Sequence, residues 1–242
     1  MIALKTYARM ANNVYDVPNL EALTAGLPDC WSVYDCAIDS QFGDTGGLEH
    51  NSGFKGCIYR SPHEVVIAFK GTGGGRGFQD LLADAKLAVG VIPREATAAN
   101  ILFEKAQKVF ANSSDRPITV VGHSLGGGLS QVIAHWYKLR FVTFNAPPMG
   151  SCVQKAKLNL FKPEQMVRAI KASTKSVNAG TNYRLQGDVI SSRKTSVLGH
   201  YGKVKTIKAP LVSGFSPGKA HKMSVFCSYL DRSSDGIQDP FV

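Results

Sequence analysis

The apolar residues of this chain follow two rhythms that alternate along its length. Near the start, Leu4, Tyr7, Ala8, Ala11 and Tyr15 recur with the spacing of one helix face. Residues 54–59 and 64–70 then read as two short strands. Ser61-Pro62-His63 between them is a turn, so the pair predicts a hairpin. Residues 78–87 have the spacing of a short helix. Ala99, Leu102, Phe103, Ala106, Val109 and Phe110 mark the apolar face of a longer one, ending before Asn112-Ser113-Ser114-Asp115. Residues 118–121 are an unbroken apolar run of strand length. Leu125, Leu129, Val132, Ile133 and Trp136 form the buried stripe of the next helix. A strand at 141–144 is stopped by Asn145-Ala146-Pro147-Pro148, and 182–189 predicts one more. Residues 151–180 show little periodicity.

Strands alternating with helices predict an α/β fold with a mostly parallel central sheet flanked by helices. The chain has 242 residues, no internal repeat and no linker-like stretch, which suits a single domain over 1–242. In such sheets the reacting groups collect at the carboxyl ends of the strands. Thr72, Ser124 and Asp188 each follow an apolar run and can share that edge.

Between the run at 118–121 and the helix after it stands Gly122-His123-Ser124-Leu125-Gly126-Gly127. This is a Gly-x-Ser-x-Gly nucleophile elbow in its required setting of strand, sharp turn and helix. The glycines let strand and helix backbones approach where the serine takes strained dihedrals. The hydroxyl then stands above the sheet edge, beside the unpaired N–H groups of a helix start. The plainer alternative is a glycine-rich turn with Ser124 as an N-cap.

A serine nucleophile needs a base, an acid to orient the base, and donors for an oxyanion. With this elbow the chain order is serine, acid, histidine. Asp188 lies just past a predicted strand, where a loop can aim it at an imidazole. Glu164 is the other acid before the late histidines, while Asp231, Asp235 and Asp239 come after both. Asp188 could also be a turn residue after Gly187. Two histidines compete for the base, His200 and His221. His221 is favoured because it follows the Gly/Pro-rich loop 213–218 and precedes an apolar stretch, 223–230. His50, His63, His123 and His135 precede or accompany the elbow and are weaker candidates. The oxyanion donors expected are the N–H of Leu125 and an N–H from the glycine-rich stretch Phe69-Lys70-Gly71-Thr72-Gly73-Gly74-Gly75. That stretch does not fit a phosphate-binding Gly-x-Gly-x-x-Gly, because Arg76 holds the third glycine's place.

Charge and cysteines narrow the partners. The net charge of +10 favours anionic ones, an acidic lipid surface or an acidic protein, although a lysine-rich solvated surface has the same composition. The basic residues are spread and no nucleic-acid motif occurs, so nucleic acid is not expected. The longest apolar runs, such as 65–69, are strand-sized rather than membrane-spanning. Met1-Ile2-Ala3-Leu4-Lys5 lacks the features of a secretory signal, which leads us to expect cytoplasmic synthesis without one. Five cysteines, an odd count, suggest free thiols in a reducing compartment; a Cys30–Cys36 bridge is open to the chain but nothing supports it. There is no Cys-x-x-Cys, and His63-Glu64 has no second histidine four residues on, so a zinc site is not expected, and a serine acyl-enzyme route needs no cofactor.

Four blocks in fixed order resemble the class 3 lipases of the α/β-hydrolase superfamily. Val65-Val66-Ile67-Ala68-Phe69-Lys70-Gly71-Thr72 is similar to that family's apolar strand ending in Phe-Arg-Gly-Thr/Ser. Phe78-Gln79-Asp80-Leu81-Leu82-Ala83-Asp84 resembles its following helix. Gly122 to Gly127 matches the elbow, and Phe141-Val142-Thr143-Phe144-Asn145-Ala146-Pro147 the strand after it. The resemblance implies an α/β-hydrolase fold and hydrolysis of lipid esters, with Ser124 as nucleophile, Asp188 as acid and His221 as base. It also implies Thr72 at the oxyanion position, a lid within 73–82, and a non-catalytic His200. Lys70 departs from the family's Arg, and the secretory signal and disulfides of secreted fungal members are missing. A basic, signal-less chain looks closer to bacterial phospholipase-type relatives, some of them toxins exported by signal-independent machines. That likeness implies an acidic inhibitor or immunity protein as a partner. The expected activity is a serine lipase or phospholipase A acting at anionic membranes without a cofactor. The alternatives are an esterase or acyltransferase on small soluble esters, and a catalytically inactive basic binding module.

Overall fold

Every residue of Val65–Phe69 is buried, and Ile118–His123 and Arg140–Phe144 are buried along almost their whole length. Unbroken burial without alternation is the mark of strands covered on both faces. The computed structural model describes residues 2–38, 53–72, 92–93, 95–110, 116–150, 153, 180–192, 199–208 and 217–241. Within them lies a seven-stranded sheet whose spatial order equals chain order. The strands are β1 (Ser32–Ile38), β2 (Lys55–Arg60), β3 (Val65–Phe69), β4 (Ile118–His123), β5 (Arg140–Phe144), β6 (Gly180–Leu185) and β7 (Lys203–Ile207). The first three run antiparallel to one another; β3 to β7 are parallel.

Helices cover both faces. The main ones are α1 (Leu4–Asn13), α3 (Ala96–Phe110), α4 (Leu125–Tyr137) and α6 (Met223–Arg232); α2 (Leu20–Thr24) and α5 (Pro217–His221) are short. On one face Leu102 and Phe103 of α3 and Leu129 and Ile133 of α4 pack with Ile58, Ile67 and Val120 of the sheet. On the other, Tyr7 and Met10 of α1 and Phe226 of α6 pack with Val66, Val121 and Phe144. This three-layer arrangement is the α/β-hydrolase architecture expected from the sequence.

Several expectations need correction. Val109 is 46% exposed, because it stands at the margin of the α3 stripe on the last turn. Leu125 is only half-buried, as the first residue of α4 sits at the open edge of the sheet. From Gly126 to Trp136 the helix is buried all round rather than along a stripe, being packed against β3, β4, β5 and α3. The strand expected at 182–189 runs from Gly180 to Leu185 and ends at a turn where Gly187 has φ +92°. Strands β1 and β7 were not legible, since sheet-edge strands are half-exposed and mix polar with apolar residues. Cys30, Cys36, Cys57 and Cys227 are free thiols, so there is no Cys30–Cys36 bridge. Extended backbone from Ser32 onward carries Cys36 away from Cys30 by about 3.3 Å per residue. The helix expected at 78–87 and the lid at 73–82 lie outside the described residues, as do Cys152, His50 and most of 151–180.

At the amino edge of the sheet, Glu64 is 2% exposed and accepts hydrogen bonds from Tyr7 (2.7 Å), Arg140 (2.7 Å) and the Thr119 hydroxyl. Burial pushes its carboxyl up, and these bonds oppose that rise. The group ties α1 to the starts of β3, β4 and β5. At the carboxyl edge the backbones themselves touch. A Cβ on Gly126 would lie 2.0 Å from the Phe69 carbonyl oxygen, and one on Gly122 would lie 2.3 Å from the Gly126 carbonyl. Backbone cannot move aside as a side chain can. Gly126→Ala should therefore cost about 1–3 kcal/mol or more, as overpacking does. At about 2–4 °C per kcal/mol, thermal denaturation should show the loss directly. An unchanged melting temperature would contradict this close approach.

Candidate active site

Ser124 occupies the turn between β4 and α4 with φ 54° and ψ −129°, a left-handed conformation that a non-glycine residue adopts only under constraint. The constraint is visible. Its N–H donates to the Phe144 carbonyl (3.1 Å), and its carbonyl accepts from the Gly128 N–H (3.1 Å). The side chain meets the late histidine: Ser124 Oγ lies 2.9 Å from His221 Nε2, and His221 Nδ1 lies 3.0 Å from Asp188 Oδ1. All three residues are buried. The carboxylate can only accept, so Nδ1 carries the proton and Nε2 is left to accept from the serine hydroxyl.

Asp188 follows the turn after β6. Its carboxylate also accepts from the N–H groups of Ser191 (3.0 Å) and Ile190 (3.3 Å) and from the Ser191 hydroxyl. Burial by itself would raise its pKa. The bonds from His221 and Ser191, with the charge His221 can carry, outweigh burial and hold it below the usual carboxylate value. Arg184 Nη2 donates to the Asp188 carbonyl (3.0 Å) and braces the loop. His200, the competing histidine, bonds through Nε2 to the Ser191 carbonyl (3.0 Å). It props the loop that carries Asp188 rather than meeting Ser124.

Behind His221 lies a second set of groups. Tyr15 Oη is 2.8 Å from His123 Nδ1, and His123 Nε2 is 2.7 Å from the His221 carbonyl oxygen. That carbonyl only accepts, so Nε2 holds the His123 proton and the Tyr15 hydroxyl donates to Nδ1. Burial, with nearby His221, pulls His123 down to about 3, and burial pushes the Tyr15 phenol up. Both stay neutral over the working range. Asn145 Nδ2 donates to the carbonyls of Ala220 (2.9 Å) and His221 (3.4 Å), while its Oδ1 accepts from Leu185 N–H (2.8 Å). Asn145 itself has φ 46°. The backbone of His221 is thus fastened to the ends of β4, β5 and β6. Tyr15, Asn145, Ser191 and Arg184 join the site without any motif that marks them in the sequence, and His123 is a weak candidate there. Their signal is contextual: His123 adjoins the nucleophile, and Asn145 ends the next strand.

Thr72 closes the other side. A Cβ on Gly71 would lie 3.0 Å from the Ser124 Cβ and 2.5 Å from the His123 carbonyl oxygen, so the end of β3 passes against the elbow. Thr72, Asn12, Tyr15, His123, His221 and Lys222 line a cleft of about 390 Å³. Leu125, the first residue of α4, offers an unpaired helix-start N–H next to Ser124, and Thr72 lines the same cleft. A hydroxyl, an imidazole and a carboxylate in line, beside backbone donors, suit acyl transfer through a covalent intermediate.

The chain is similar to known proteins in sequence and in fold. The model of the Tle-like phospholipase domain matches residues 6–220. The chain is similar to an extracellular phospholipase A1 of Serratia liquefaciens, 34% identical over 95 residues. That match takes in 39% of this chain and 28% of the Serratia enzyme. Among solved structures it is similar to the mono- and diacylglycerol lipase of Aspergillus oryzae, at a TM-score of 0.51 and 14% identity over 93% of each chain. It is also similar to lipase II of Rhizopus niveus, at a TM-score of 0.47 and 13% identity over 98% of this chain and 94% of that one. The likeness to the Aspergillus enzyme is one of fold. The family match spans most of the chain, takes in the elbow and Asp188 and ends just before His221, and with it the chain belongs to the Tle-like phospholipase domain family.

Proposed function

We propose that the chain is a phospholipase A-type acyl hydrolase with Ser124 as nucleophile, His221 as general base and acid, and Asp188 as the group that orients the imidazole. The unbroken line of hydrogen bonds from Ser124 through His221 to Asp188 carries this reading. In the forward step His221 takes the hydroxyl proton as Ser124 Oγ attacks the acyl carbonyl. The N–H groups of Thr72 and Leu125 receive the oxyanion. His221 then returns its proton to the departing lysophospholipid alcohol, and water, activated by the same imidazole, releases the fatty acid. The family match and the similarity to the Serratia enzyme support phospholipid as the ester.

Membrane docking is the second half of the reading. The net charge of +10 supports attraction to anionic bilayers, and exposed Lys222 lines the cleft next to His221. The same charge supports an acidic protein as inhibitor, and export by a signal-independent route is part of the proposal.

Ser124→Ala should fold normally and lose about 10³-fold or more in turnover of a chromogenic acyl ester. Mass spectrometry after phosphonate treatment should find the adduct on Ser124. His221→Ala should be nearly as inactive, and His200→Ala should keep most activity. Full activity in the serine variant, or an adduct elsewhere, would overturn the mechanism.

Vesicles rich in acidic phospholipid should be hydrolysed faster than neutral ones, with the advantage falling as salt rises and the screening length shrinks to about 10 Å at 0.1 M. A short soluble ester should respond little to salt. Cleavage of the soluble ester alone would replace the membrane reading with a small-ester esterase.

His123 is a positioning residue in this scheme, acting through the His221 carbonyl. Its folded pKa of about 3 lies below the ordinary histidine value of about 6.5. Between those pH values the unfolded chain binds a proton that the folded chain refuses. Stability therefore falls as pH falls through that window, by up to about 1.4 kcal/mol per pH unit, and His123 adds no slope above it. His123→Gln should flatten this acid limb in denaturant titrations and lower kcat by about 10–100-fold, as small misplacements do. An unchanged limb together with unchanged kcat would remove His123 from the scheme.

A further inference from the structure

Strands β1 and β2 put two of the free cysteines directly opposite each other. Beyond an irregularity at Val33/Asp35 the register is regular: Asp35 faces Ile58, Cys36 faces Cys57, Ala37 faces Gly56 and Ile38 faces Lys55. Directly opposed residues of an antiparallel pair project to the same face of the sheet. The packing agrees, for Cys57 belongs to the core under α1 and α6, and Cys36 and Ile38 pack against that core. Ala37 and Ile58 pack on the other face. Opposed Cα atoms lie about 4.5–5.5 Å apart, inside the range of about 4.4–6.8 Å found in disulfides. Their Cβ atoms, at about 4.5–5.5 Å, need to close by about 1 Å. Among the described residues β1 has a neighbouring strand on one side only, so it can supply that movement.

The geometry points to Cys36 and Cys57 as an oxidation site that forms a cross-strand disulfide when the protein meets a disulfide oxidant. Cys36 is half-buried and Cys57 is fully buried, which sets the order of events. The Cys36 thiolate attacks one sulfur of the oxidant, forms a mixed disulfide and expels one oxidant thiolate. The Cys57 thiolate then attacks the Cys36 sulfur and expels the second. The two cysteine thiols lose two electrons and two protons, and the oxidant leaves as two thiols. Burial pushes both thiols up, with the Asp35 carboxylate adding to the rise at Cys36, so the reaction quickens as pH rises. Neither cysteine touches Ser124, His221 or Asp188, and the bond leaves the chemistry of the site alone. Its effect is to staple the outermost strand of the sheet. It closes a loop over residues 37–56 and limits the unfolded chain.

Incubation of the full chain with oxidised glutathione at pH 8.5, followed by alkylation and non-reducing peptide mapping, tests the site. The expected product is two hydrogens lighter than the reduced protein, with the Cys36 and Cys57 peptides linked. Cys30→Ser should still form it and Cys36→Ser should not. The oxidised protein should melt about 5 °C or more above the reduced one, with the difference removed by dithiothreitol and ester turnover unchanged. Because Cys36→Ser lies in a half-exposed strand, its folding is checked by that same turnover. Glutathione retained as a stable mixed disulfide, a link from Cys30 to Cys36, or no oxidation in a protein that still turns over ester would each overturn the proposal. Loss of activity in Ser124→Ala bears on the mechanism and leaves this site untouched.

Discussion

At the carboxyl edge of the sheet the elbow's backbone runs against the end of β3 with no room for a side chain at Gly122 or Gly126. That approach fixes where Ser124 stands, and the other groups are placed relative to it. The turn holds the serine at positive φ, its N–H is fastened to Phe144, and Gly71 is pressed against its Cβ. Thr72 and Leu125 follow from the same contact, one at the end of β3 and one at the start of α4. The cost of the strained serine conformation, of order 1–3 kcal/mol, is met by a core that is buried on both faces of the central strands.

His221 has to reach this fixed point from a part of the chain nearly a hundred residues away. Its imidazole is held by Asp188 and its backbone by His123 and Asn145. Each of those groups sits at or just beyond the end of a neighbouring parallel strand, β6, β4 and β5. The parallel sheet thus does more than bring a serine, an acid and a base to one edge. It supplies a second row of uncharged polar groups that fixes the main chain of His221, beside a cleft that Lys222 also lines. Glu64, at the far edge, ties α1 to the same strands and so also steadies Tyr15, which follows that helix.

The parts of the fold that carried a hydrophobic rhythm were readable in the sequence. Helix α1, the β2–β3 hairpin, α3, β4, α4 and β5 all came from periodicity, because burial on one or both faces writes itself into residue type. The edge strands β1 and β7 did not, since half-exposed strands such as Ser32–Ile38 mix charged and apolar residues without a clean alternation. The elbow is a local motif and needs no tertiary knowledge. The order of serine, acid and histidine singled out Asp188, and loop context favoured His221 over His200. What the sequence could not show was contact between distant elements. Nothing in the text of the chain links Tyr15 to His123, or Asn145 to the carbonyl of Ala220; those bonds exist only once α1, β4, β5 and α5 are packed. The cross-strand opposition of Cys36 and Cys57 is of the same kind, as it needs the register of a strand that was not legible.

The central claim is that catalysis passes through an ester on Ser124, and its most direct test is to trap that ester. Acid quenching during turnover of a slowly hydrolysed phospholipid or long-chain ester, followed by peptide mass spectrometry, reads the covalent state of the enzyme. The account predicts one acyl chain on the peptide containing Ser124, appearing before free fatty acid and lost as substrate runs out. Steady release of fatty acid with Ser124 unmodified at every time point, under conditions where a chemically acylated standard survives the quench, would contradict it.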